Sequence, residues 1–205
     1  IGDYAFANTF ITSIIIPNSV TSIGENAFLN SDITSITFET NSSLTTIGPK
    51  AFYGVSSLIS ITIPNSVTSL GDQCLSGATS LTSINIPNSV TEIGQYAFKD
   101  ATDLSSVTFE TDSSLATIAY GAFWGTKSLT TITIPDNVTL SSSVFLGSGL
   151  ETINIPNTIT SLPSNVFHTN YSLHTVTFAE NSSLHTIGLQ AFKNASSLTS
   201  IEIPK

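Results

Sequence analysis

The chain has 205 residues, 40% of them apolar and only 9% charged, with five Lys, no Arg and a formal charge of −9. The apolar fraction is ample for a core at this size, which excludes a disordered chain; nothing basic is available to displace phosphate counterions, which argues against nucleic acid; and no apolar run approaches the roughly 18 residues of a bilayer-spanning helix, so no membrane insertion by this segment is expected. Ser (33) and Thr (30) predict a surface that is hydroxyl-rich rather than ionic.

The chain enters in the second half of a repeating unit, at Ile1-Gly2-Asp3-Tyr4-Ala5-Phe6. The opening apolar position then recurs at Ile11, Ile33, Leu58, Leu81, Leu104, Leu129, Leu150, Leu173 and Leu198, 21–25 residues apart. A fixed period of this length marks a repeat array, in which no unit can cover its own apolar residues and stacking turns each position into an internal column. The unit at Leu81 reads Leu81, Ile84, Ile86, Pro87, Val90, Ile93, Gly94, Ala97, Phe98. In it Leu81, Ile84 and Ile86 alternate with Ser83 and Asn85, the period of a strand with one buried face. Pro87 stops that strand, and a second short β segment, Val90 to Ile93, leads to Gly94, where the missing Cβ permits a corner. The stretch from Gln95 to Lys99 is expected to form about one helical turn, packed through Ala97 and Phe98.

Units opening at Ile33, Leu104 and Leu173 carry a longer insert: Phe38 to Leu44 matches Phe109 to Leu115 and Phe178 to Leu184. The order short, long, short occurs three times, so equivalent positions also recur about every 70 residues, as at Leu58, Leu129 and Leu198. One solenoid of about nine units over residues 1–205 is predicted, with no polar cap at either end. A chain that starts and stops inside a unit is expected to be a piece of a longer array or a subunit that stacks end to end on copies of itself.

The frame L-x-x-I-x-I-P-x-x-V-x-x-I-G-x-x-A-F, carried from Ile1 to Lys205, resembles the leucine-rich repeats of the BspA-like family. The expected fold is an α/β repeat solenoid, β-rich, with short helical or irregular turns on its outer side; the resemblance implies that it is right-handed with a parallel sheet on its concave side, in a cell-surface or secreted protein that binds ligands or adheres rather than catalyses. The family often has Cys three residues after the Phe, where this chain has Val55, Ala78, Ala101, Thr126 or Ala195.

Residues that share a repeat position form ladders across such a sheet. The outward positions give Ser83, Ser106, Thr131, Thr152 and Thr175 in one ladder and Asn85, Thr108, Thr133, Asn154 and Thr177 in the next. These ten are the candidate binding residues for a protein or glycan ligand; the alternative is a soluble, β-compatible exterior with no ligand. Ordered Thr arrays also suggest ice binding, against which stand a concave surface and a second ladder interrupted by Ile15, Asn85, Asn154 and Glu202.

No catalytic, cofactor or metal site is expected. His168, His174 and His185 all fall near the joint between the seventh and eighth units, but His174 and His185 occupy variable polar positions, and one residue type without converging carboxylates or Cys makes no metal site. Glu39 and Glu110 lie three units apart, roughly 14 Å by the strand spacing, too far for a carboxylate pair. Cys74 is the lone cysteine, which excludes an internal disulfide, and it replaces the Ala of the column Ala27, Ala51, Ala97, Ala122, Ala191, as a small buried residue would. Trp124 stands where Tyr53 and Lys193 stand, either packed on the outer rim or serving as an interface anchor. Five N-x-[ST] sequons occur, at Asn41, Asn137, Asn170, Asn181 and Asn194, a number that so Asn- and Ser-rich a chain reaches by chance.

Overall fold

In the computed structural model, which describes residues 1–204, the chain winds into a parallel β-solenoid of about eight turns. The first side of the coil carries four-residue strands: Ser13–Ile16, Ser35–Phe38, Ser83–Ile86, Ser106–Phe109, Thr152–Ile155 and Thr175–Phe178. The second carries two-residue strands. Six of these, Ser22–Ile23, Thr46–Ile47, Ser69–Leu70, Glu92–Ile93, Thr117–Ile118 and Thr139–Leu140, form one parallel sheet, and Ser161–Leu162 pairs separately with Thr186–Ile187. The third side is made of turns.

Every pairing is parallel and joins equivalent repeat positions, as in Ile84 with Val107 and Ile93 with Ile118. The alternation read from the sequence is therefore kept: Ile84 and Ile86 are buried, Ser83 and Asn85 exposed. Inside, the columns close into one continuous core. Phe6, Phe28 and Phe52 stack at 5.1 Å between ring centres. The fully buried Leu75 takes the next place, and Phe98, Phe123, Phe145, Phe167 and Phe192 resume the stack at 5.2–5.7 Å, nearly parallel throughout. Burying each such side chain is worth about 1.5–3 kcal/mol, and only a neighbouring turn can provide that cover.

The third side corrects the expected helical turn, and with it the α/β class: the described residues contain no helix, and Gln95–Lys99 is a run of β-turns. Tyr96 and Asp100 both have left-handed backbones, at φ 56° and 57°, and the same pair of positions is left-handed in the other turns, as at Asn26 and Asn30 or Gly121 and Gly125. A helix needs an unbroken run of right-handed residues, and a left-handed one every fourth position forbids it. The N–H groups are satisfied differently. Ala97 and Lys99 bond back three residues, to Gly94 and Tyr96, while Tyr96, Phe98 and Asp100 donate across to Tyr120, Ala122 and Trp124 of the next turn at 2.8–2.9 Å. The outer wall is thus a third inter-turn ladder, its N–H groups donating forward to the next turn, whereas just beyond the two-residue strands Gly94 N–H donates back to Leu70 and Ala119 N–H to Ile93.

Gly94 owes its identity to stacking rather than to its own backbone angle. A Cβ there would lie 2.7 Å from the Asp72 nitrogen and the Gly71 carbonyl carbon of the turn below, closer than packed atoms allow.

Candidate binding face

On the first side, the long unit of each block aligns its strand with the short unit before it. Ser83–Ile86 runs beside Ser106–Phe109, and Thr152–Ile155 beside Thr175–Phe178, in full four-residue register. The following unit forms no strand of this length, and single bridges are what remain: Ser35 with Ser60, Ser60 with Ser83, and Thr133 with Asn154. The uninterrupted ladder expected from the repeat is therefore replaced by three two-stranded patches.

The inserted loop causes the break. After Phe109 the chain leans back onto the preceding unit: Glu110 N–H donates to the Ile86 carbonyl and Ser114 N–H to the Asn88 carbonyl. The Glu110 carboxylate takes part in this, with Oε2 accepting the Asn88 N–H at 3.1 Å and Oε1 the Asn85 side-chain amide at 3.2 Å. Glu39 does the same to Asn18 N–H at 3.0 Å. In the third long unit Ala179 replaces the Glu, and the backbone bond from its N–H to Ile155 persists. Because each loop leans toward the preceding unit, a groove opens toward the following one. Three such grooves exist: one of about 580 Å³ between Phe38–Ser42 and Thr62–Ser66, one of about 650 Å³ between Phe109–Ser113 and Thr133–Asn137, and one of about 470 Å³ between Phe178–Ser182 and Glu202–Pro204.

Of the ten candidate residues, nine are exposed and Thr152 is half-buried. Ser83 stands beside Ser106, Asn85 beside Thr108, Thr152 beside Thr175 and Asn154 beside Thr177. Two of these pairs are hydrogen-bonded to each other, Thr108 Oγ1 to Asn85 Oδ1 and Thr177 Oγ1 to Asn154 Oδ1, each at 2.9 Å. Thr131 and Thr133 lie in a unit without a four-residue strand, and Thr108 and Thr133 line opposite walls of the second groove. The sequence reading placed the ladders and missed the grooves, whose walls include Phe38, Phe109, Phe178, Pro64 and Pro135. The short, long, short rhythm was the available signal, since an insert on every third turn has to part the strands somewhere.

The other residues of interest sit apart. Among the described residues no cluster of His, Cys, Asp and Glu is arranged to hold a metal ion, and no helix is long and apolar enough to cross a membrane. Cys74 is fully buried, and burial pushes its thiol up to about 12. Trp124 packs on the outer wall 6.0 Å from Tyr96, with the Lys99 ammonium 5.1 Å above its ring. Asn41, Asn137, Asn181 and Asn194 are exposed in left-handed turns, whereas Asn170 is wholly buried.

A family model for the BspA type leucine rich repeat region, in six copies, matches residues 1–113 and 108–205. Among solved structures, a leucine-rich repeat protein from Bacteroides ovatus is similar over 100% of this chain, at 30% identity and a TM-score of 0.80; the chain spans 58% of that protein's length. A T. pallidum leucine rich repeat protein matches at 21% identity and a TM-score of 0.72, over 93% of this chain and 81% of that one. The pneumococcal vaccine antigen PcpA matches at 24% and 0.56, over 95% and 51%. The last two likenesses are of fold alone. No curated protein matches the sequence.

Proposed function

We propose a recognition role for this chain, which belongs to the BspA-type leucine-rich repeat family: it is a non-catalytic scaffold of a secreted or surface-displayed protein, and it takes a protein or glycan ligand on the side of the long strands. One observation carries the reading. That side holds exposed Ser, Thr and Asn at fixed register, as the second sheet also does, and it alone carries the three recurring grooves among the described residues. Concave sites with a few oriented polar groups are where ligands bind, and here one wall carries strand residues such as Thr108 and the other Thr133 of the following unit. The surface location rests on the family resemblance.

The test is binding of the purified chain to a panel of immobilised extracellular proteins and glycans. Replacing Thr108 and Thr133 by Lys is expected to lower affinity at least tenfold, while Lys193→Glu on the outer wall leaves it unchanged. The reverse pattern would overturn the assignment of the face.

A second reading is supported by the backbone bonds that join each turn to the next on every side of the coil, as from Phe98 N–H to Ala122 on the outer wall and from Gly94 N–H to Leu70 beside the short strands. Each turn presents complementary faces, so units of this kind extend an array by simple addition. In this reading the chain is a spacer within a longer solenoid or filament, and electron microscopy of the native material would show rods.

A further inference from the structure

We propose that the three grooves are subsites for one linear, uncharged polysaccharide, whose successive units they hold in line along the solenoid. This rests on the recognition reading above and narrows its ligand to one class.

Equivalence of the grooves is the first argument. They are built by Phe38, Phe109 and Phe178, which occupy the same place in successive three-turn blocks, about 14 Å apart by the strand spacing. Three like sites in a row are used together only by a ligand that offers the same group again and again. The surface of a folded protein without internal repeats does not recur in that way, and neither does an ordinary peptide. A polysaccharide does, and simultaneous engagement multiplies weak affinities without any new kind of contact.

The lining is the second argument. Phe38 faces Pro64 across the first groove and Phe109 faces Pro135 across the second, and each pair is accompanied by Thr and Asn side chains. A sugar ring presents an apolar CH face and a rim of hydroxyls, and this combination meets both. Glu110 adds an acceptor already fixed by Asn85 and Asn88, and Glu39 one fixed by Asn18, so little side-chain freedom is lost when a hydroxyl donates to it. The third groove has Ala179 in this place and is the weakest of the three.

Charge selects among polysaccharides. No Lys, Arg or His lines any of the grooves among the described residues, each contains at least one carboxylate, and the chain carries −9. Anionic glycans are therefore repelled and neutral ones are not.

The experiment is affinity electrophoresis and calorimetry of the 205-residue chain against neutral linear polysaccharides, namely α- and β-linked glucans, mannan, galactan and xylan. Alginate serves as an anionic comparator and oligolysine as a cationic peptide. At least one neutral polymer is expected to bind about 100-fold more tightly, per repeating unit, than its own trisaccharide. Thr37→Lys or Thr108→Lys alone should weaken binding more than Thr177→Lys, and the three together should abolish it. The triple Thr→Val variant, which keeps the strand residues β-branched, should weaken binding while leaving the melting curve in place, and so separates lost contacts from lost folding. The inference is overturned if polymer and trisaccharide bind equally per unit, if binding survives the folded triple Lys variant, or if no neutral polymer binds. A face that instead takes oligolysine or an extracellular protein would sink the glycan assignment and leave the recognition reading standing. Loss of both kinds of binding to the face would remove that reading as well.

Discussion

Ser148 donates its hydroxyl to Asn170 Oδ1 at 2.5 Å, and the Asn170 amide donates in turn to the Phe145 carbonyl at 2.7 Å, all within the buried interior. The two residues hold equivalent places in successive turns, in the column where other turns have Val55, Ala78 and Ala101. The same column contains Ser31, whose buried hydroxyl has no partner among the described residues. Losing one member of a buried pair leaves the other unpaired, at a cost of about 1–3 kcal/mol, whereas removing an already unpaired hydroxyl carries no such cost. Asn170→Ala is thus expected to lower stability by about that amount and Ser31→Ala to leave it level or raise it, as read by urea unfolding. Equal destabilisation by both would show that volume, not hydrogen bonding, governs the column.

Burial of Asn170 also sorts the sequons. After secretion from a glycosylating host, peptide mass spectrometry should find the Asn170 peptide unmodified, with any glycan confined to exposed acceptors such as Asn41 and Asn181. A glycan on Asn170 would mean that this turn opens before the solenoid closes over it.

Ile86 is fully buried and its strand neighbour Ser83 is exposed. Ile86→Asp places an uncompensated carboxylate in the core and should abolish the cooperative melting of at least the adjoining turns. Ser83→Asp, three residues away on the other face, should shift the melting temperature by only a few degrees, since exposed substitutions usually change stability by less than about 0.5 kcal/mol. An unchanged melt for Ile86→Asp would contradict the register.

Gln73 has a left-handed backbone at φ 56° in the middle of the outer wall. A non-glycine residue there costs about 1–2 kcal/mol, and a β-branched one more. Gln73→Gly should therefore gain stability despite the greater freedom of glycine in the unfolded chain, and Gln73→Val should lose it, both read from equilibrium unfolding. If Val proved as stable as Gly, the left-handed turn would not be the reason this side is non-helical.

Cys74 is held as the thiol by burial, its ionisation moved from the ordinary 9.0 to about 12. In the unfolded chain it ionises from about pH 9 upward, so the unfolded state loses a proton that the folded state keeps. The contribution to stability is whole below pH 9 and is lost as pH rises toward 12. Melting temperatures measured across that window should fall less steeply for Cys74→Ala, the residue usual in this column, than for the parent. At pH 8 the native thiol should resist alkylation and react once the chain is denatured.

Much of this architecture was readable from residues alone because it depends on periodicity. Leu81, Ile84 and Ile86 at period two, followed by Pro87 and a second apolar pair, determine which side chains point inward, and a 21–25-residue spacing determines that like positions stack. Gln95–Lys99 is compatible with a helical turn by residue type, since it has no proline or glycine within it. The clue lay in other copies, where Asn26, Asn30, Gly121 and Gly125 occupy the left-handed places, residues that tolerate this conformation.

Inward and outward positions, the register and the stacked core were thus determined by the sequence, since each follows from spacing along the chain and from the cost of leaving apolar side chains in water. The tertiary structure decided the rest. Whether Phe98 N–H bonds within its own turn or across to Ala122, and whether the Glu110 loop leans onto Asn88 or toward Thr133, depends on which backbone partner a neighbouring turn brings within about 3 Å, and that is a property of the stack rather than of any one unit.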